Sequence, residues 1–170
     1  QQSFRFILVI NGFHPIYISQ VGRPGYTVET ESHRLLNWHF HYPTNVKWGD
    51  IAFTVKEVYS HSNANTFMKK LKGCAWALPD DTAAGRLTEN DISKSALVNS
   101  LGVVKIQTIR PDGSVHEEWS LEGAFIKGVQ FSELNYSNDS INSAQVTLSY
   151  DWANLKVYPK QGDNRVDVTY

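Results

Sequence analysis

"FSELNYSNDSINSAQVTLSYDW", residues 131–152, closes in a run that puts Ala144, Val146, Leu148, Tyr150 and Trp152 on one parity and Gln145, Thr147, Ser149 and Asp151 on the other. Side chains of a strand alternate between its two faces, so this run is expected to lay one face on a core and the other in water. The same period recurs in "DIAFTVKEV" (50–58), where Ile51, Phe53 and Val55 oppose Thr54 and Lys56. It recurs again in "VHEEWSL" (115–121), with Val115, Glu117, Trp119 and Leu121 on one side. A chain built on such runs is mainly β.

Working outward, "SFRFILVI" (3–10), "NGF" (11–13) and "HPIYISQV" (14–21) read as an opening hairpin, because Asn-Gly favours a tight turn. "GRPGY" (22–26) punctuates the chain, and "TVETES" (27–32) alternates weakly as an exposed strand. The stretch 33–49, "HRLLNWHFHYPTNVKWG", contains Pro43, shows no clean period, and is expected to be a projecting loop. "NANTFMKKLKGCAWAL" (63–78) is the one good helix, with Asn63 or Asn65 as its cap and Phe67 and Leu71 at i and i+4. Residues 79–96 read as a polar loop, 97–109 as a strand and "RPDGS" (110–114) as a turn. A strand over 123–136 is expected to bulge at Gly128, residues 137–142 turn the chain, and 159–170 form a polar C-terminal arm. The sum is about eight strands and one helix: a single domain over 1–170, a β-sandwich or barrel of antiparallel strands with one flanking α-helix.

Composition narrows the function classes. A formal net charge of −1 argues against a protein built to grip nucleic acid through phosphates, which needs a clustered Lys/Arg surface that would show in the balance. Cys74 is the single cysteine, which excludes an internal disulfide and fits a reducing compartment. No apolar run approaches the ~18 residues of a membrane helix. The opening "QQSFRFILVI" has neither the basic region nor the cleavage site of a signal peptide, and lacking a methionine it is expected to begin downstream of the natural start. The sequons at Asn135 and Asn138 then read as accidental.

Chemistry finds little purchase. His33, His39, His41 and His61 are the first suspects, and "HFH" puts His39 and His41 on one face if extended, a spacing that suits zinc. No partner ligand stands at metal spacing, so a polar-aromatic contact segment is the better reading. Cys74 lies inside the helix pattern beside Trp76, where a thiol is inert packing. Glu117 and Glu118 are strand neighbours pointing to opposite faces, and Asp80 and Asp81 sit in a polar loop, so neither pair suits acid–base work. No catalytic residue, metal or cofactor is expected.

The order of elements carries more. The opening "KSA" (94–96), then "EEWSLEGAFIKGV" (117–129), "LNYSND" (134–139) and the closing "QVTLSYDW" (145–152) resemble the tail tube protein family of contractile-tailed bacteriophages. "WGDIAFTVKEVYSHSNANTFMKKLKGCAW" (48–76) is more loosely similar to that family's Trp-containing strand and single helix. The resemblance spans roughly residues 20–155 and is strongest after 94. The family commonly has a longer N-terminal segment with a short helix where this sequence enters its first strand almost at once. Either that segment was removed or not recorded, or this is a relative such as a baseplate tube initiator; the polar end after 155 is an extra.

The resemblance implies a structural virion protein, not an enzyme. Hexameric rings would stack into the inner tail tube, their sheets joining into one inner β-barrel that conducts DNA. Implied partners are further copies of the chain, the tail sheath, baseplate and tail terminator proteins, the tape measure protein and transiting DNA, without sequence-specific nucleic-acid binding. Assembly would take place in the host cytoplasm. A baseplate tube initiator or the needle tube of a phage-like or type VI secretion particle is the nearest alternative. A carbohydrate-binding β-sandwich using Trp38, Tyr42 and Trp48 as a platform is more distant.

Two surfaces follow. Alternating strands without a device for blunting their edges are expected to pair between subunits, and the polar face of Gln145, Thr147, Ser149 and Asp151 is expected on the wall, in a lumen that is not net positive. Within 33–49, Leu35, Leu36, Trp38, Phe40, Tyr42, Val46 and Trp48 are too apolar for a solvated loop and are expected to join one ring to the next.

Overall fold

The computed structural model describes residues 5–57, 62–72, 93–133, 141–159 and 168–169. Expectations for His61, Cys74, Asp80, Asp81, Asn135, Asn138, the stretches 73–92 and 134–140 and most of the C-terminal arm lie outside those residues.

Eleven strands and two helices are described. The strands are β1 (Phe6–Val9), β2 (Ile18–Val21), β3 (Tyr26–Leu35), β4 (Trp38–Trp48), β5 (Ile51–Lys56), β6 (Val104–Ile109), β7 (Val115–Glu122), β8 (Phe125–Phe131), β9 (Ser143–Ser149), β10 (Trp152–Val157) and β11 (Val168–Thr169). The helices are α1 (Asn63–Lys72) and α2 (Lys94–Leu101). Three sheets result, with orders β1-β6-β7-β10-β11, β2-β5-β9-β8 and β3-β4, and every recorded pairing is antiparallel.

The inner faces of the two larger sheets meet in one core. Leu8, Val104, Ile106 and Leu121 enter it from one sheet, and Phe53, Val55, Ala144, Val146 and Leu148 from the other. Full burial of such side chains, worth about 1.5–3 kcal/mol for each large one, fixes which parity faces inward. Thus Ala144, Val146, Leu148 and Tyr150 lie in the core as their alternation requires.

Several sequence expectations are corrected. The opening segments do not form a hairpin: β1 pairs with β6 and β2 with β5, so the Asn-Gly turn, with Gly12 at φ 88°, carries the chain from one sheet to the other. The first part of 97–109 is helical, not strand. Leu97 and Leu101 sit at i and i+4 of α2, and the helix ends at Gly102, whose N–H reaches the Val98 carbonyl at φ 69°. There is accordingly a second helix. Within 159–170, Val168–Thr169 pairs with β10 as an edge strand.

The closing run is not one strand. It breaks at Tyr150–Asp151, where the chain leaves the four-stranded sheet for the five-stranded one. Trp152 consequently falls on the outer side, 51% exposed. The neighbouring crossing from β7 to β8 turns at Gly123, φ 64°. Asp151 spans both corners: its N–H donates to the Glu122 carbonyl, and its carboxylate sits where a Gly123 Cβ would point, 2.2 Å from Oδ2. Lys94 of α2 holds that carboxylate at 2.6 and 2.7 Å.

Finally, 33–49 is not a loop. Its residues complete β3 and form β4, joined by a two-residue turn at Leu36–Asn37. Pro43 is tolerated because a two-stranded ribbon has only edge strands.

Candidate assembly surfaces

The β3–β4 hairpin stands off the body of the protein. Every residue of β3 and all of β4 except Trp48 are exposed. At its root Trp48 lies between Tyr26, met edge-on (centroids 5.6 Å), and the buried Tyr150, met at a tilt (6.0 Å), and the Gly49 N–H donates to the Gly25 carbonyl at 2.9 Å. The root is thus tied to the core and the rest is not. A lone two-stranded hairpin is marginal in water, and the anchored root is what ties this one to the body.

Its register decides where the apolar side chains go. Tyr26 pairs with Trp48 and Val28 with Val46, but the next pair is Thr30 with Pro43, so β4 carries one extra residue opposite Glu29. Thr44 marks this bulge, its hydroxyl donating to the Glu29 carbonyl at 3.0 Å. A bulge shifts strand parity by one. Val46 and Trp48 therefore share a face with Tyr26 and Val28, whereas Trp38, Phe40 and Tyr42 share the opposite face with Leu35, His33 and Glu31. The hairpin bears two apolar patches, one near the root and one near the tip, on opposite sides.

The tip is itself unusual. Leu36 adopts φ 56°, a conformation suited to glycine or asparagine, and is 83% exposed. Arg34 braces the turn through its Nε–H to the Leu36 carbonyl, 3.1 Å. His39 and His41 share one face, as their spacing requires, opposite Arg34 and Ser32, while His33 lies on the other. Among the described residues no three His, Cys, Asp or Glu side chains gather in a metal-binding group.

Of the seven residues singled out in the sequence, Leu35, Leu36, Trp38, Phe40, Tyr42 and Val46 are exposed on the hairpin, and Trp48 is its anchor. Tyr26 and Val28 were missed. The signal was the even parity of positions 38, 40, 42, 46 and 48, a strand pattern obscured by Pro43 and the histidines.

The second surface is the outer face of the four-stranded sheet. One row crosses it from edge to edge, Gln20–Thr54–Gln145–Gln130, and the next reads Ala52–Thr147–Gly128. Ser149 lies beside Asp50 and Lys127, which pair at 2.5 Å; the Lys127 and Ser149 side chains hold the Asp50 carboxyl below its usual range. Gln145, Thr147 and Ser149 therefore share a polar face, and Asp151 is removed from it to the corner. Both edge strands are irregular, with register shifts between Ile18 and Gln20 and between Ile126 and Gly128. The latter falls at the expected Gly128 bulge. The expectation of unblunted edges is corrected, since bulges restrict which partner strand an edge accepts.

On the outer side of the five-stranded sheet Glu118 is only 8% exposed. Lys105 Nζ (2.9 Å) and Gln107 Nε2 (2.6 Å) donate to its carboxylate. Burial alone pushes this carboxyl up, but those two partners together outweigh it and hold the group below the ordinary value of 4.5. Glu117 points the other way and pairs with Arg23 at 2.8 Å. Adjacent carboxylates on a strand thus serve separate ion pairs.

No protein-family model matches the chain, and no curated protein does. Solved structures do. A chain of the sheath–tube complex of an extracellular contractile injection system (PVC) superposes with TM-score 0.64 at 13% identity, over 92% of this chain and 91% of that one. A chain of the tube-terminating cap of the anti-feeding prophage gives 0.64 at 16% identity, over 92% and 91%. Hcp1 from Salmonella typhimurium gives 0.51 at 12% identity, over 99% and 93%. The fold is that of contractile injection system tube and cap proteins and of Hcp, in keeping with the resemblance carried by residues 94–152.

Proposed function

We propose that this chain is a non-enzymatic wall subunit of the tube of a contractile, phage-tail-like particle, assembling as hexameric rings that stack along one axis. The observation that carries this reading is the β3–β4 hairpin: an exposed ribbon with an apolar patch on each side, on a chain with a tube-protein fold.

The four-stranded sheet supplies the wall. Because neighbours in β2-β5-β9-β8 are antiparallel and the strand count is even, its edge strands β2 and β8 run in opposite directions. Rotation about a ring axis then brings β8 of one copy antiparallel to β2 of the next, and four strands from each of six copies close a barrel of twenty-four. Closure of this kind removes the exposed edges altogether. The Gln-Thr-Gln-Gln row would continue around such a barrel as a polar belt. A lining of neutral side chains with Asp50 against Lys127 lets DNA pass without the counterion-release affinity of a lysine stripe. The stacked tube would sit within a sheath between baseplate and terminator, enclosing a tape measure protein before DNA, in a particle assembled in the host cytoplasm.

Negative-stain microscopy of the concentrated, purified protein tests the reading. Sixfold rings or tubes are expected; a protein that stays monomeric at high concentration overturns it.

A further inference from the structure

An open apolar groove of about 330 Å³ lies between α1, α2 and the edge strand β8. Phe67, Met68, Leu97, Val129 and Phe131 supply most of its lining. Val129 and Phe131 stand opposite the buried Val146 and Ala144 of β9, so the groove opens on the core side of the four-stranded sheet. Phe131 meets Phe67 of α1 edge-on at 6.3 Å, yet it remains exposed, as does Met68. Along β8 the apolar lining of the core therefore runs past the last strand of its own sheet.

The opposite edge of the sheet carries the converse feature. A 3-10 turn, Pro15–Tyr17, leads into β2, and its Ile16 is 75% exposed. The turn is stiff. Pro15 fixes one backbone angle, the Ile16 N–H donates to His14 Nδ1 at 3.3 Å, and the Tyr17 N–H donates to the His14 carbonyl at 3.1 Å. Phe13, buried just before the turn, and Tyr17, packed against the core, place it on the core side of the sheet. Ile16 is thus a preformed apolar knob at one edge, and the groove is an unfilled socket at the other.

Knob and socket lie at the same end of the sheet. Ile18, two residues beyond Ile16, and Phe131 terminate one cross-strand row, Ile18–Val55–Ala144–Phe131. Within one copy the ends of that row are three strand spacings apart, about 14 Å. Between copies they come together. When β2 of the next copy runs antiparallel beside β8, the turn that precedes it arrives at the Phe131 end of the groove. Resting on the assembly proposed above, we infer that Ile16 of one copy seats in the α1–α2–β8 groove of its neighbour within the same ring. Backbone pairing of two strand edges tolerates a slip, whereas a side chain in a pocket does not, so this contact fixes the register of the joint. Knob and socket are different surfaces, and the contact closes on itself after one turn of the ring.

Cross-linking tests this in a Cys74→Ser background. Chains carrying Ile16→Cys together with Met68→Cys or Phe131→Cys are assembled, oxidised and separated under denaturing, non-reducing conditions. A ladder of covalent species ending at six is expected, and an Ile16→Cys/Val103→Cys control, with Val103 exposed ahead of β6, should give none. Ile16→Ala should raise the concentration needed for half-assembly into rings by about tenfold while leaving the melting of the free subunit unchanged. The inference is overturned by rings that oxidise without links, by a ladder that runs beyond six, by disulfides formed within single monomers, or by a control that links as readily. A parent protein that forms no rings at all would instead remove the assembly reading, and this inference with it.

Discussion

β5 and β4 both place apolar side chains at every second position, yet they end in opposite surroundings. Phe53 in β5 is 1% exposed, packed edge-on against Phe13 at 6.2 Å, while Trp38 in β4 is 72% exposed. The difference lies in what pairs with each strand. β5 is flanked by β2 and β9 and backed by the five-stranded sheet. β4 has β3 alone. Alternation specifies that one face must be covered; it does not specify by which molecule.

This contrast can be tested by cutting the same side chain from each region. Phe53→Ala should cost about 3–5 kcal/mol, because it empties a site where the surrounding sheets cannot collapse. Urea denaturation of the free subunit measures it, and a loss below ~1 kcal/mol would mean that the four-stranded sheet is not the core it is taken to be.

A smaller effect separates the charges of the two regions. Glu118 in the body is held by Lys105 and Gln107, whereas Glu31 on the hairpin is exposed. Glu118→Gln should cost about 1–3 kcal/mol at neutral pH, as expected for hydrogen bonds to a charged group. Its folded-state carboxyl titrates below the ordinary 4.5, so its stabilisation is present above that pH and is lost as pH falls through the lower value. The deficit of Glu118→Gln should therefore shrink below about pH 4.5. A deficit independent of pH would assign the Glu118 effect to shape rather than charge.

The smallest effect is the most telling. Phe40→Ala should alter subunit stability by no more than about 0.5 kcal/mol, the range of an ordinary surface substitution. A cost near that of Phe53→Ala would mean that the hairpin folds back onto the body in solution.

Much of the body was legible because burial enforces period two. Ala144, Val146 and Leu148 could be assigned inward from spacing alone, and the turn at Arg110–Ser114 was fixed by Pro-Asp-Gly, with Gly113 at φ 84°. Sheet membership was not legible. The run 144–152 alternates without a visible break, yet the corner at Tyr150–Asp151 moves the chain to the other sheet and shifts the inward parity, so that Ala153 is buried and Trp152 is not. Helix α2 was missed because Leu97, Val98 and Val103–Val104 read equally well as strand until Gly102 divides them. The hairpin's residues were found from composition, but their two-sidedness could not be. It depends on one bulged residue beside Thr44, and nothing local in "PTNV" announces it.

The aromatic cluster of Tyr26, Trp48 and Tyr150 at the hairpin root has an entropic consequence. Ordering a flexible chain segment on binding costs about 1–2 kcal/mol per residue in backbone freedom alone. Were residues 26–48 to fold only on docking, most of the interface energy would be consumed in that ordering. Here the strands are already in register before any partner arrives, pinned at one end to a buried tyrosine. Docking then has only rotamers left to fix, at about 0.5–1.5 kcal/mol for each immobilised side chain. In the assembly proposed above, a small aromatic patch would therefore bind at a lower ordering cost, because the immobilisation was completed when the subunit folded.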